Sequence, residues 1–115
     1  MKITKVESFV VRTPIRREIG DSTHAFTHWS TPGCWIHTDA GIVGTGYTGL
    51  EGDGEELIKR VIDGYYAPHL LGRDPFEVKR IWEELQWGRL HWVGRAGVTQ
   101  MALAAVDIAL WDIMA

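Results

Sequence analysis

The sequence predicts an α+β fold, a three-stranded antiparallel meander followed by a bundle of about three helices. Three observations carry that expectation. The first third of the chain is rich in β-branched residues and contains one clear hairpin turn, Asp39-Ala40-Gly41. Helix-start signals then appear at Asp53 and again at Asp74. Residues 97–115, GVTQMALAAVDIALWDIMA, are apolar at helical spacing on nearly every face.

Taken in order, residues 2–12 carry Ile3, Val6, Phe9, Val10 and Val11 between polar residues and read as a strand. Pro14 should end it, because proline cannot donate to a ladder. Between Pro14 and Pro32 the periodicity disappears, so residues 14–32 read as a long loop, and such loops are usually functional or disordered. Residues 34–38 and 42–48 read as two short strands, with Gly41 supplying the positive φ of the turn. Residues 49–54 read as a glycine-rich loop. Asp53 and Glu56 suggest a capping box for a helix running to about Tyr65, with Leu57, Ile58, Val61 and Ile62 on its apolar face. Gly64, Pro68 and Gly72 break the next segment. Asp74 and Pro75 then suggest a cap and a first helical position for a helix with Val78, Ile81, Trp82 and Leu85 on one face, closed by Gly88.

The 115 residues suffice for one small domain, and 45% hydrophobic against 23% charged residues is globular material. A net charge of -3 gives no general attraction to nucleic acid or anionic lipid, so neither is expected as a partner. No run is long and apolar enough to span a membrane, and the N-terminus lacks the features of a signal peptide. The single cysteine, Cys34, suits a reducing cytoplasm.

The run from Ala102 through Val106, Asp107, Ala109, Leu110, Trp111, Asp112 and Ile113 to Ala115 resembles the first signature of the mandelate racemase and muconate-lactonizing branch of the enolase superfamily. The segments Gly72-Arg73-Asp74-Pro75 and Val93-Gly94-Arg95-Ala96-Gly97 are similar to ones found in acid-sugar dehydratases of that branch. The resemblance implies that residues 1–115 are an enolase-like N-terminal capping domain, whose last helix leads to a catalytic (β/α) barrel outside this chain. It implies a magnesium ion held by barrel acids, a lysine or histidine base on the barrel, and abstraction of the proton next to a carboxylate. A sugar-acid dehydratase is the favoured expectation, with racemase, epimerase or cycloisomerase as alternatives, and the assembly is expected to be a homo-oligomer. No catalytic residue and no metal ligand is expected within these residues. A free-standing binding module is the competing class. It is disfavoured because the terminal helix has more apolar faces than the preceding elements could cover.

The same resemblance assigns substrate choice to two loops, which fall here at residues 14–32 and 47–54. Reading the residues alone selects the same stretches, the ones that combine length, glycine and polar side chains without a core pattern. Within them lie five candidates for substrate binding. Arg16 offers a guanidinium fork for a carboxylate, set against a solvated pair formed with Arg17 beside Glu18. His24 and His28 can hydrogen-bond hydroxyl groups, Trp29 offers a flat wall with one donor, and Tyr47 a hydroxyl. A zinc site built from His24, His28 and His37 has no recognised ligand spacing. The glycines from Gly44 to Gly54 lack the order of a phosphate-binding loop and are read as allowing tight turns and movement. Trp82, Trp87, Trp92 and Trp111 are expected to pack. Arg95 is a candidate partner for Asp107 or Asp112, acids expected to anchor the domain junction.

Overall fold

The computed structural model describes residues 1–115. Strands β1 (Ile3–Gly20), β2 (Ala25–Thr38) and β3 (Val43–Tyr47) form an antiparallel sheet in the order β1-β2-β3, and the short β4 (Leu50–Glu51) pairs with β2 beyond the end of β3. Helices α1 (Glu55–Val61), α2 (Ala67–Leu70), α3 (Val78–Trp87) and α4 (Val98–Met114) come after the sheet, so the expected α+β meander and helix bundle is the observed fold.

One face of the sheet packs on the helices. Along β2, Ser30, Pro32, Cys34, Ile36 and Thr38 are buried, the period of two required of a strand with one covered face. Helix α4 lies across β2 and β3 with Ala102, Ala105, Val106 and Ala109 fully buried. Its small residues let the backbone of β3 come very close. A β-carbon at Gly44 would stand 2.1 Å from the Ala109 carbonyl oxygen, and one at Gly46 would stand 1.9 Å from that of Ala105. These two glycines therefore serve helix–sheet contact, not the movement expected of them, while Gly52 and Gly54 do take positive φ values of 77° and 116°.

The expected hairpin turn is present, with Gly41 at φ 78° and its N–H donating to the Thr38 carbonyl. Residues 14–32, expected to be a loop, form a two-stranded ladder instead. Pro14 does not end β1, because β1 is an edge strand and an edge tolerates a missing donor. Pro32 lies where pairing to β3 gives way to pairing to β4. Its carbonyl accepts the Thr48 N–H, so its absent N–H faces the same interrupted edge.

The helix starts also differ from expectation. Asp53 caps nothing: α1 begins after Gly54 with no side-chain cap, and the Asp53 carboxylate turns to Arg12. Helical structure continues past Gly64 through a π turn, Ile62–Tyr66, where the Ala67 N–H reaches back to the Ile62 carbonyl. That wider turn lets Pro68 sit in α2 without breaking the segment. Asp74 accepts the Phe76 N–H in a local turn, and α3 starts only at Val78. Its inner face is Val78, Ile81 and Leu85.

The tryptophans expected to pack are largely solvent-facing: Trp82 is 40% exposed, Trp111 49%, Trp87 67% and Trp92 82%. Trp82, Trp87 and Trp111 flank the helical faces whose centres Ile81, Leu103 and Leu110 already occupy, and Trp92 lies in the turn between α3 and α4.

A charge cluster joins α2, the turn after it and α3. Glu84 accepts hydrogen bonds from Arg73 at 2.6 Å and Arg80 at 2.9 Å and lies 2.7 Å from His69 Nε2. Arg73 first, then His69 and Arg80, hold its carboxyl down at about 2. A carboxyl depressed in the folded state stabilises above its unfolded value, near 4.5, and loses that contribution as pH falls towards 2. Thermal melts over that interval should therefore show a steeper fall in Tm for the wild-type chain than for Glu84→Gln. Parallel curves would remove Glu84 from the acid response.

Candidate functional site

Beyond Thr13 and Trp29, which pair with each other, β1 and β2 continue as a two-stranded arm with no third strand beside it. The register pairs Pro14 with His28 and next Ile19 with Phe26. Residues 15–18 thus stand opposite Thr27 alone, in an extended bulge that includes Arg16 and Arg17. Bulges bend a strand and redirect its side chains. Both arginines are exposed there. At the tip, the Asp21 carboxylate accepts the N–H groups of Thr23 and His24, each at 2.8 Å, and lies 3.1 Å from His24 Nδ1. These contacts, the Thr23 amide foremost, hold the Asp21 carboxyl below its usual range. The imidazole of His24 stacks parallel to Phe26.

At the base of the arm the second expected loop is hydrogen-bonded to the first. β4 pairs with Trp29 and Ser30, the Gly52 N–H donates to the His28 carbonyl at 3.1 Å, and Ser30 Oγ donates to the Gly52 carbonyl at 2.7 Å. Beneath them lies Glu55, 1% exposed. The Arg12 guanidinium donates to Glu55 through Nε, and its Nη2 contacts Asp53 at 3.2 Å. Glu55's own backbone N–H and the Arg12 guanidinium keep this carboxyl ionised against the effect of burial. His28 Nε2 lies 3.4 Å from Asp53 without hydrogen-bond geometry and has no other partner.

Register separates the five candidates. Trp29 shares the parity of Thr31, Gly33 and Trp35, and Tyr47 pairs with Gly33, so both belong to the sheet face away from the helices. His28 has the parity of buried Ser30 and points to the helix side. Arg16 lies in the bulge and His24 at the tip. Arg16 and His24 are exposed on the arm, His28 is turned inward at its base with Nε2 buried, and Trp29 and Tyr47 mark the opposite face. His24 immediately precedes β2 and His37 lies near its far end, which argues against a shared zinc ion. No group of three or more His, Cys, Asp or Glu side chains is placed to hold a metal.

The acids of α4 find local roles. Asp112 accepts the Thr45 N–H at 2.8 Å, fastening the end of the helix to β3. Asp107 lines a groove of about 250 Å³ with Val78, Trp82 and Trp111, where burial pushes its carboxyl above the usual range. Arg95 pairs with neither acid and lies over the Trp92 ring, 5.1 Å from its centre.

A family described as mandelate racemase / muconate lactonizing enzyme, N-terminal domain, matches residues 5–115. The chain belongs to this family. Among curated members, the 3,6-anhydro-alpha-L-galactonate cycloisomerase of Streptomyces coelicolor is 35% identical over 112 residues, covering 96% of this chain and 31% of that protein. A D-galactonate dehydratase family member of Cellvibrio japonicus is 42% identical over 80 residues, 70% of this chain and 19% of the relative. Two solved structures superpose closely. A racemase from Streptomyces coelicolor with bound magnesium gives a TM-score of 0.92 at 34% identity, over 97% of this chain and 31% of that one. L-Talarate dehydratase from Polaromonas, complexed with magnesium and L-glucarate, gives 0.89 at 28% identity, over 99% and 32%. The chain thus spans about a third, or less, of the members it matches. Reading the sequence by residue type missed Arg12 and Glu55. The available signal was a charge at the inward parity of β1, after Val6, Ser8 and Val10, which requires a buried partner.

Proposed function

We propose that this chain is the capping domain of a magnesium-dependent enzyme that removes the proton next to the carboxylate of a sugar acid, most directly an aldonate or aldarate dehydratase. The observation that carries the reading is the polar arm, which projects past the sheet and presents Arg16 and His24 without any core role of its own, with the unpartnered imidazole of His28 at its base. The guanidinium of Arg16 suits a carboxylate, and the two imidazoles suit hydroxyl groups. Trp29 and Tyr47 then border the arm from its other side. Removing a proton beside an existing carboxylate builds a second negative charge, and a cap that excludes water strengthens every charge interaction made with it.

In this reading the base and the magnesium ligands belong to a barrel that follows α4. The carboxylates present here do not suit the metal: Asp53 and Glu55 are committed to Arg12, and Asp112 to a backbone N–H. Ile108, Trp111 and Met114 on the exposed side of α4, with Phe76 and Trp82, form the apolar surface that such a barrel would cover.

The test is to assay the full-length protein with magnesium against a library of aldonate and aldarate salts. The expected product is one water lighter than its substrate. Turnover confined to an aromatic hydroxy acid or a muconate sinks the dehydratase reading and leaves family membership intact. A second reading, cycloisomerisation, is favoured by the relative that is similar over 96% of this chain. It predicts a product of unchanged mass.

A further inference from the structure

The geometry points to Arg12 as a positioning residue, a clasp that fixes the base of the arm to residues 52–55 so that the two segments meet a ligand as one body. This rests on the proposed capping role. The arm has no third strand past Trp29 and is interrupted by the bulge at residues 15–18, so its direction is set where it leaves the sheet. At that point Arg12 pairs with Ser30, Ser30 pairs with Leu50, and the Arg12 guanidinium reaches under both to Glu55 and Asp53.

Stability alone is a poor reason for such an arrangement, since apolar side chains of similar volume often serve as well as a buried ion pair. Geometry is a better one. Parting a carboxylate that is 1% exposed from its cation is costly, so backbone positions that keep Arg12 on Glu55 are favoured. The second contact, to Asp53, comes from Nη2, which also meets Glu55, and ties the residue between β4 and α1 to the same guanidinium. A lysine offers one point charge and cannot span both carboxylates in this way. His28, 3.4 Å from Asp53, lies on the same unit, so its position relative to the arm tip depends on the clasp.

The experiment uses the full-length protein in three forms: wild type, Arg12→Lys, and Arg12→Ala combined with Glu55→Gln. The double variant removes the charge that Arg12→Ala alone would leave buried without its cation. Two quantities are read. The first is the rate of tryptic cleavage at Arg16 and Arg17, followed by mass spectrometry without substrate, expected to rise about tenfold in both variants as the arm opens more often. The second is the steady-state constants for the acid that is turned over. KM should rise about tenfold with kcat within about threefold, as expected when a binding arm loses its orientation while the chemistry is untouched. Cleavage at the wild-type rate in both variants overturns the clasp, even if sugar acids are substrates. Faster cleavage with an unchanged KM overturns its positioning role. Because cleavage needs no substrate, a different substrate class sinks the proposed function without touching the clasp.

Discussion

Gly46→Ala should destabilise the domain by about 3 kcal/mol, the upper range for overpacking a closely packed site. The new β-carbon would lie 1.9 Å from the Ala105 carbonyl oxygen and 2.5 Å from the Ala109 amide nitrogen, both backbone atoms of one helix that cannot rotate away. Relief requires α4 to lift off β3, which opens the layer holding Cys34, Ile36, Ala102 and Val106. For a domain of this size the midpoint of thermal unfolding should fall by roughly 10 °C. Gly49→Ala is the control, since a β-carbon there meets nothing within 4 Å. A Gly46→Ala melt that matches the control would show that helix and strand are not in the tight contact described.

Removing the arm should have the opposite signature. Joining Pro14 to His28, which are paired across the ladder, through a two-residue Asn-Gly turn deletes the bulge and the tip while leaving the register below them intact. None of residues 15–27 belongs to the hydrophobic core, so unfolding should change by less than about 1 kcal/mol. Turnover by the full-length enzyme should nevertheless fall by at least about 100-fold, the scale expected when substrate is no longer held and enclosed. Activity within about threefold of wild type would make the arm irrelevant to substrate.

Residue order alone makes only part of this architecture legible. The terminal helix, the Asp39-Ala40-Gly41 turn and the two strands flanking it follow from local pattern, the helix from its apolar residues at helical spacing and the strands from an alternation that records burial on one side. The arm cannot be recognised as strand for the same reason in reverse. With no layer against either face, residues 15–27 have no alternation to display, and polar side chains on both sides look like a loop. The role of Gly44 and Gly46 is hidden because their constraint comes from Ala105 and Ala109, some sixty residues away. Asp53 carries a good local capping pattern, yet a distant arginine takes its carboxylate. Residue type could nominate Arg16, His24, His28, Trp29 and Tyr47 as candidates. Only the pairing register could show that Trp29 and His28, adjacent in the chain, face opposite ways.

The bond from the Thr45 N–H to Asp112 also bears on how the domain behaves among other copies of itself. β3 is the outermost long strand on its side of the sheet, and an outer strand with open N–H groups is a template on which another chain can extend the sheet. Midway along β3 that donor is already taken by a carboxylate from the end of α4. An approaching strand would have to displace it and would meet a negative charge where it needs to supply a carbonyl. The acid near the end of an otherwise apolar helix thus blunts the edge of the sheet against pairing with another copy, a safeguard present as soon as α4 docks.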